Sequence, residues 1–311
     1  MPLPRRSPKE EGPWGEGGAI ISPVASPSDL TQRFIFENLD IRGQVVRLGP
    51  VWRAIVSRRE YPGELLQLLG EFAALSVLIG SALKHPGRAV LQVMGHGPIS
   101  MAVADCTRDL ALRSMLKAGE KGAWGEGHSL HDLFADGRLA LTIENADTAR
   151  HFQSVVPLEG VTLTECFERY FDRSEQIPTH LWVRANADTV GALILQKLPK
   201  ADERDPGGWA RVQQVAAKGA PAYLERGGED EAIAGLLTSV FPEDDIRLFK
   251  PQPVRDGCAR SEEKVVAMLR GLGRAEIEAT LAEHGVVKVH DEICNHEYRF
   301  AAADVARIFE G

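Results

Sequence analysis

Cysteine is scarce in this chain. Four are present in 311 residues, at positions 106, 166, 258 and 294, and no two of them stand as Cys-x-Cys or Cys-x-x-Cys. Such sparse usage is not that of a small secreted scaffold held by disulfides. Positive charge is in deficit, with a net charge of −8. That argues against general nucleic-acid binding, where a basic face must meet phosphates. Long apolar runs are also missing. The best, over residues 72–83, is interrupted by Ser76, Gly80 and Ser81 and is too short to span a bilayer. Arg5-Arg6 near the start has no apolar stretch behind it, so the segment does not read as a signal peptide. No glycine-rich nucleotide loop and no Ser/His/Asp set stands out. These absences point to a cytoplasmic protein with neither nucleic acid nor membrane as partner, and away from an enzyme.

What is there is an ordinary globular composition, 44% hydrophobic and 26% charged. The length suits a core-bearing domain plus a smaller one. Residues 1–28 are rich in Pro, Gly and Ser and read as a disordered N-terminal extension, with Ala19-Ile20-Ile21 as a segment able to add to a neighbouring sheet. Alternating residues then predict strands over 33–37 and 41–48, with Gly43 marking a bulge or a close backbone approach. A short helix follows over 52–57. Pro62-Gly63-Glu64 starts another that is apolar nearly all round, hence a buried central helix. A hairpin is expected around Gly95-His96-Gly97-Pro98; that turn lacks the later glycine and the strand-to-helix context of a phosphate loop. A strand over 139–144, a turn over 155–160, a Thr162-capped helix over 163–173 and strands over 181–183 and 192–196 complete this part. His128 and His131 lack a third ligand and read as polar surface. Cys106 has no local histidine to activate it and reads as a structural thiol.

Residues 200–250 are different. Trp209, Val212, Val215, Ala216 and Leu224, then Ile233, Leu236, Leu237 and Val240, mark short amphipathic helices. Such helices are marginal alone, so they either pack on the preceding domain or come off and expose their apolar faces. Beyond them come two helices over 261–269 and 275–283, paired strands over 286–289 and 298–300, and a terminal helix over 304–309. The expected class is α+β: an extension (1–28), an N-terminal core domain with a sheet and a buried helix (29–199), a helical linker (200–250) and a small C-terminal α+β module (251–311).

That last module carries the pattern most in need of explanation. Its two cysteines lie at the edges of turn-like segments, Cys258-Ala259-Arg260 and Asp291-Glu292-Ile293-Cys294, with a helical hairpin between them. A structural zinc site takes four ligands, commonly as two close pairs. Here each pair has lost a member, at Arg260 and Asp291.

The chain resembles the Hsp33 family of redox-regulated holdase chaperones over about residues 30–310. The likeness rests on Arg33-Phe34-Ile35-Phe36-Glu37-Asn38, Ile41-Arg42-Gly43-Gln44-Val45-Val46-Arg47-Leu48, Ala104-Asp105-Cys106-Thr107, Val155-Val156-Pro157-Leu158-Glu159-Gly160, Ser174-Glu175-Gln176-Ile177-Pro178-Thr179 and Ala192-Leu193-Ile194-Leu195-Gln196-Lys197-Leu198-Pro199. Cys258-x-x-Ser261-x-x-Lys264 and Cys294-x-x-x-Tyr298-x-Phe300 also fit. The resemblance implies an α/β domain, a helical linker and a redox-switch domain whose four cysteines bind zinc when reduced. In the family, oxidation forms a disulfide within each pair, releases zinc, unfolds the switch and loosens the linker. The exposed apolar surface then holds unfolding client proteins without ATP, as a homodimer. In this chain the four positions fall on Cys258, Arg260, Asp291 and Cys294, so the family's two disulfides cannot form.

Three arrangements suit the residues that remain. Arg260 and Asp291 could form an ion pair where the metal would stand, worth about 0–1 kcal/mol if exposed against about 10–16 kcal/mol for structural zinc. That leaves a loosely held module whose chaperone activity depends less on oxidation. Cys258 and Cys294 could bond to each other, constraining the unfolded chain by about 4 kcal/mol and stapling the module shut. Or zinc could be held by Cys258, Cys294, Asp291 and one of His290 or His296, all chemically allowed ligands. A client-binding protein uncoupled from redox control and a thiol-dependent oxidoreductase using Cys258 or Cys294 are the rival functions.

Overall fold

The structure is a computed structural model and describes residues 28–119, 128–226, 233–258 and 261–310. All of the expected N-terminal extension except Ser28, and Arg260 with its expected ion pair, lie outside the described residues.

Strands β1 (Leu30–Phe36) and β2 (Ile41–Leu48) pair antiparallel. The ring of Phe34 lies over Gly43, where a Cβ would come within 2.2 Å of it. Gly43 therefore marks a close approach, and the register passes it without a shift. Pro50 opens helix α1 (Pro50–Val56), where its missing N–H leaves nothing unpaired. A 3₁₀ turn, Gly63–Leu65, leads into α2 (Leu66–Ser81). Together they span Gly63–Ser81, a longer run than the 72–83 segment weighed from sequence. By length and composition it could cross a membrane, yet 72% of its apolar window is buried inside the protein. It is the expected central helix.

Strands β3 (Gly87–Met94) and β4 (Ile99–Thr107) form the expected hairpin, and β5 (Ala111–Ala118) extends it. Helix α3 (Leu130–Phe134) begins with a Ser129/Asp132 capping box. Its backbone abuts the hairpin turn so tightly that a Cβ at Gly95 or Gly97 would lie within 2.4 Å of a carbonyl oxygen. Close packing explains that glycine pair. Strands β6 (Arg138–Asn145) and β7 (Arg150–Val156) follow. Val155 and Val156 finish β7, so the turn expected over 155–160 starts later. Helix α4 (Leu163–Arg173) is capped by the Thr162 hydroxyl, which accepts from the Glu165 N–H at 3.2 Å, and β8 (Thr179–Ala185) and β9 (Val190–Lys197) close this part.

Helices α5 (Ala201–Arg204), α6 (Gly208–Arg226) and α7 (Ile233–Val240) lead to three short strands, β10 (Ile246–Leu248), β11 (Gln252–Pro253) and β12 (Arg255–Asp256). The chain ends with α8 (Glu262–Leu272), α9 (Arg274–His284), β13 (Val287–Asp291), β14 (His296–Phe300) and α10 (Ala302–Glu310). Gly285 stops α9 in the left-handed conformation at φ 72°.

The first sheet runs β10-β1-β2-β9-β8, with β11 also on β1; the second runs β12-β5-β4-β3-β6-β7; β13 and β14 pair alone. Helix α2 is packed between the two large sheets in one apolar core that includes Val46, Ala192, Leu91 and Ala104. The other face of the first sheet carries Phe34, Phe36, Ile41, Val45, Leu193 and Leu195, and α6 and α7 cover it in a second core. Burial on both faces is why β9 reads as a continuous apolar run. A third small core, with Leu269, Ile277, Val287, Phe300 and Val305, holds the C-terminal helices and hairpin together.

Candidate functional site

Two features stand where the chemistry was expected: the docked helices Gly208–Arg226 and Ile233–Val240, and the cysteine pair that follows them in sequence. Along α6 the buried residues are Gly208, Val212, Ala216, Ala220 and Leu224, spaced by four, so a single narrow stripe meets the sheet. Leu224 comes so close to β9 that the facing position is Gly191. Helix α7 contributes Ile233, Leu236, Leu237 and Val240, and Phe241 just after it stacks edge-on against Phe36 with ring centroids 5.1 Å apart. At the other end of α6, Trp209 stacks on His180 of β8 at 5.9 Å, and His180 in turn lies 5.8 Å from Trp182. The Arg211 guanidinium holds Asp244 through two hydrogen bonds of 3.0 and 2.6 Å. Helices α6 and α7 thus lean on the first sheet through small apolar stripes and one aromatic contact at each end, while the bidentate ion pair ties α6 to the loop after α7.

The strands after α7 bring the chain from the first sheet to the second. β10 and β11 pair antiparallel with β1, then β12 pairs parallel with β5. The N–H groups of Arg255 and Gly257 each donate to carbonyls of the β5 edge, Leu110 and Leu112, at 2.8 Å. Cys258 comes next, its N–H donating to Asp256 Oδ1 at 3.0 Å. Cys294 sits in the β13–β14 turn, its N–H donating to Asp291 Oδ1 at 3.0 Å, and Asn295 closes the turn at φ 49°, a conformation asparagine tolerates. Cys258 and Cys294 are joined as a disulfide with 5.6 Å between their Cα atoms. Both are half-buried.

The same turn rests on the end of α1. Arg59 donates to the carbonyl oxygens of Glu292 and, at 3.2 Å, Ile293. The Asn295 amide donates to the Arg58 carbonyl at 2.6 Å. Arg58 pairs with Asp256, and Lys117 lies 3.5 Å from Glu292. Sequence reasoning missed Arg58, Arg59, Asp256 and Asn295. An adjacent arginine pair leaving an apolar helix, and an acidic turn to receive it, were the available signal.

The zinc that the resemblance implies does not fit this arrangement. Both sulfurs are bonded to each other, Asp291 Oδ1 is engaged by a backbone N–H, and His290 and Asp291 are consecutive in β13 and so point to opposite faces. His296 is the cross-strand partner of Asp291 but packs edge-on against Tyr298 at 4.6 Å. Among the described residues no group of three or more His, Cys, Asp or Glu side chains could hold a metal ion. The four-ligand set of Cys258, Cys294, Asp291 and His290 or His296 is therefore not assembled, because the bond between the cysteines removes its two thiolates.

Cys106 and Cys166 are free and buried. Burial pushes both thiols up from their ordinary pKa, in Cys106 with help from the Asp105 charge and in Cys166 against the Gly160 N–H. Neither is a ready nucleophile.

The chain matches the family model described as Hsp33 protein over residues 29–301. It is 35% identical over 285 residues to the 33 kDa chaperonin of Methylobacillus flagellatus, covering 91% of this chain and 94% of that one. It is 36% identical over 289 residues to the 33 kDa chaperonin of Pseudomonas putida, with the same coverage. The crystal structure of the 33 kDa chaperonin from Thermotoga maritima has a similar fold, with a TM-score of 0.73 over 91% of this chain and 98% of that one at 20% identity.

Proposed function

We propose a function from one premise: the chain belongs to the Hsp33 family, a family of chaperones. The protein is an ATP-independent holdase of the cytoplasm that binds unfolding proteins and keeps them from aggregating. Residues 29–199 form the supporting core, residues 200–250 the movable linker and residues 251–311 the module that governs it.

The observation that carries this reading is the second core. It consists of α6 and α7 laid over one face of the first sheet, and it is separate from the core around α2. If α6 and α7 leave, Phe34, Phe36, Ile41, Val45, Leu193 and Leu195 face water together with the helices' own stripes. A contiguous apolar surface of that kind captures unfolded chains without side-chain specificity, and its release leaves the fold around α2 intact. No nucleotide is needed, since capture uses only surface already made.

The test is light scattering from a thermally unfolding client with and without the chain, in the presence and absence of peroxide and of ATP. Suppression at near-stoichiometric ratio, indifferent to ATP, is the expected result. Unchanged aggregation in every condition rejects the holdase. Turnover of a small disulfide substrate favours the oxidoreductase reading at Cys258 or Cys294, against which the lack of a Cys-x-x-Cys motif at either position weighs.

A further inference from the structure

We propose that Cys258 and Cys294 form a reversible redox clip of closing polarity, in which the oxidised pair locks the C-terminal module onto the core and reduction releases it. The proposal stands on where each cysteine is anchored. Cys258 stands near the start of the 251–311 segment, where the chain is still anchored to the core: the residue before it donates to the Leu112 carbonyl of the β5 edge, and Asp256 holds both its N–H and the Arg58 guanidinium. Cys294 belongs to the module side, at the tip of the β13–β14 hairpin, whose Val287 and Phe300 sit in the module's own core. The bond between them therefore crosses from one body to the other.

Apart from that bond, the contacts that hold the tip to the core among the described residues are polar. Arg59 to the Glu292 and Ile293 carbonyls, Asn295 to the Arg58 carbonyl and Lys117 to Glu292 are all at or near the surface, where each is weak. The strap that Cys258 terminates is short as well: β11 and β12 have two residues each. Opening the clip frees the strap's end, and the strap is what connects the module to α7. Both cysteines are only half-buried, which suits attack by small thiols.

The chemistry balances with two named co-reactants. A dithiol reductant attacks one sulfur as thiolate, the Cys258–Cys294 bond breaks to a mixed disulfide, and the second thiol of the reductant displaces the protein. Two protein thiols and one reductant disulfide result. In the other direction a hydroperoxide oxidises one cysteine thiolate to sulfenic acid, and the second thiol attacks it, forming the disulfide and releasing water. In this chain oxidation closes the module, because one cysteine stands on each side of the junction.

The consequence for client binding rests on the holdase reading; the clip itself does not. The test is amide hydrogen exchange of the full chain, oxidised and then reduced with dithiothreitol, with Cys258→Ser/Cys294→Ser as a second protein. Closing a loop between residues 36 apart in sequence sets the ceiling, an increase in opening on the order of 10²–10³-fold. The expected result is faster exchange across residues 246–258 and 287–300 on reduction, with the double variant fast under both conditions. Equal exchange in the two redox states, or slower exchange after reduction, overturns the clip. Client aggregation is followed in parallel: suppression in neither state sinks the holdase while the exchange data still judge the clip, and suppression with unchanged exchange sinks only the clip.

Discussion

Gly191 of β9 lies directly against Leu224 of α6: a Cβ at position 191 would come within 2.9 Å of the Leu224 carbonyl oxygen. The last part of the linker helix sits that close to the sheet only because the sheet offers no side chain there. The contact is a point at which the linker can be pushed off without touching the core around α2.

Gly191→Leu forces α6 outward. Overpacking of this kind costs about 1–3 kcal/mol. Here the cost falls on docking, so the variant is expected to bind an apolar dye and suppress client aggregation more strongly than the parent in the oxidised state. Dye fluorescence and light scattering check it; a variant that unfolds globally is recognised by loss of the near-ultraviolet signal of Trp52, which is fully buried on the α2 side.

Phe241→Ala tests the other end. Phe241 is 2% exposed and packs edge-on with Phe36. Removing a buried ring costs about 3–5 kcal/mol. The expected outcome is early, separate melting of residues 208–241, seen by hydrogen exchange, with residues 66–81 protected as before.

The carboxylate of Glu71 gives a pH signature. It is buried in α2 and accepts from the Leu163 N–H at the start of α4 and from the Gln67 amide, both at 3.0 Å. Burial raises its pKa to about 7 from 4.5, outweighing the hydrogen bonds from Gln67, Leu163 and Thr164 and the charge of Arg184. A raised carboxyl pKa means the folded state binds the proton more tightly than the unfolded chain. Its contribution is full below pH 4.5 and is lost as pH rises through about 7, by about 3 kcal/mol. Glu71→Gln removes the titration. The stability difference, parent minus variant, should fall across that window and be flat above it; urea unfolding at a series of pH values measures it.

The thiol count tests the cysteine assignment. The native oxidised chain should offer no thiol to a bulky reagent. Two should appear on denaturation, from Cys106 and Cys166, and four on denaturation with reduction. Protein purified without reductant should carry far less than one zinc per chain, because the disulfide withholds both thiolates, and stoichiometric zinc would restore the four-ligand reading.

How much of this could be read from the chain depends on burial. Strands β1, β2 and β8 and the Thr162-capped α4 show a patterned buried face, and α2 and β9 are apolar nearly throughout, so the sequence shows all of them. Strand β7 is exposed along nearly its whole length, so it lacks alternation. Helix α3 has one full turn, and β10 to β12 have two or three residues each. Pairing to distant strands makes β10 to β12, and pairing leaves no local trace, while β7 is held by the neighbouring β6 and α3 by its Ser129/Asp132 cap. At the site, the two surviving cysteines could be named from spacing, but whether they meet depends on the Arg58–Arg59 shelf, some 230 residues earlier in sequence.

The central claim is that α6 and α7 leave the sheet to meet unfolded protein. Hydrogen exchange of residues 208–226 and 233–240, with a denatured client added at increasing ratio, tests it most directly. The account predicts that these amides open before those of α2, and that client changes their exchange and the exchange of the Phe34, Val45 and Leu193 face in proportion to the aggregation suppressed. Full protection of both helices while the chain is holding client would contradict it.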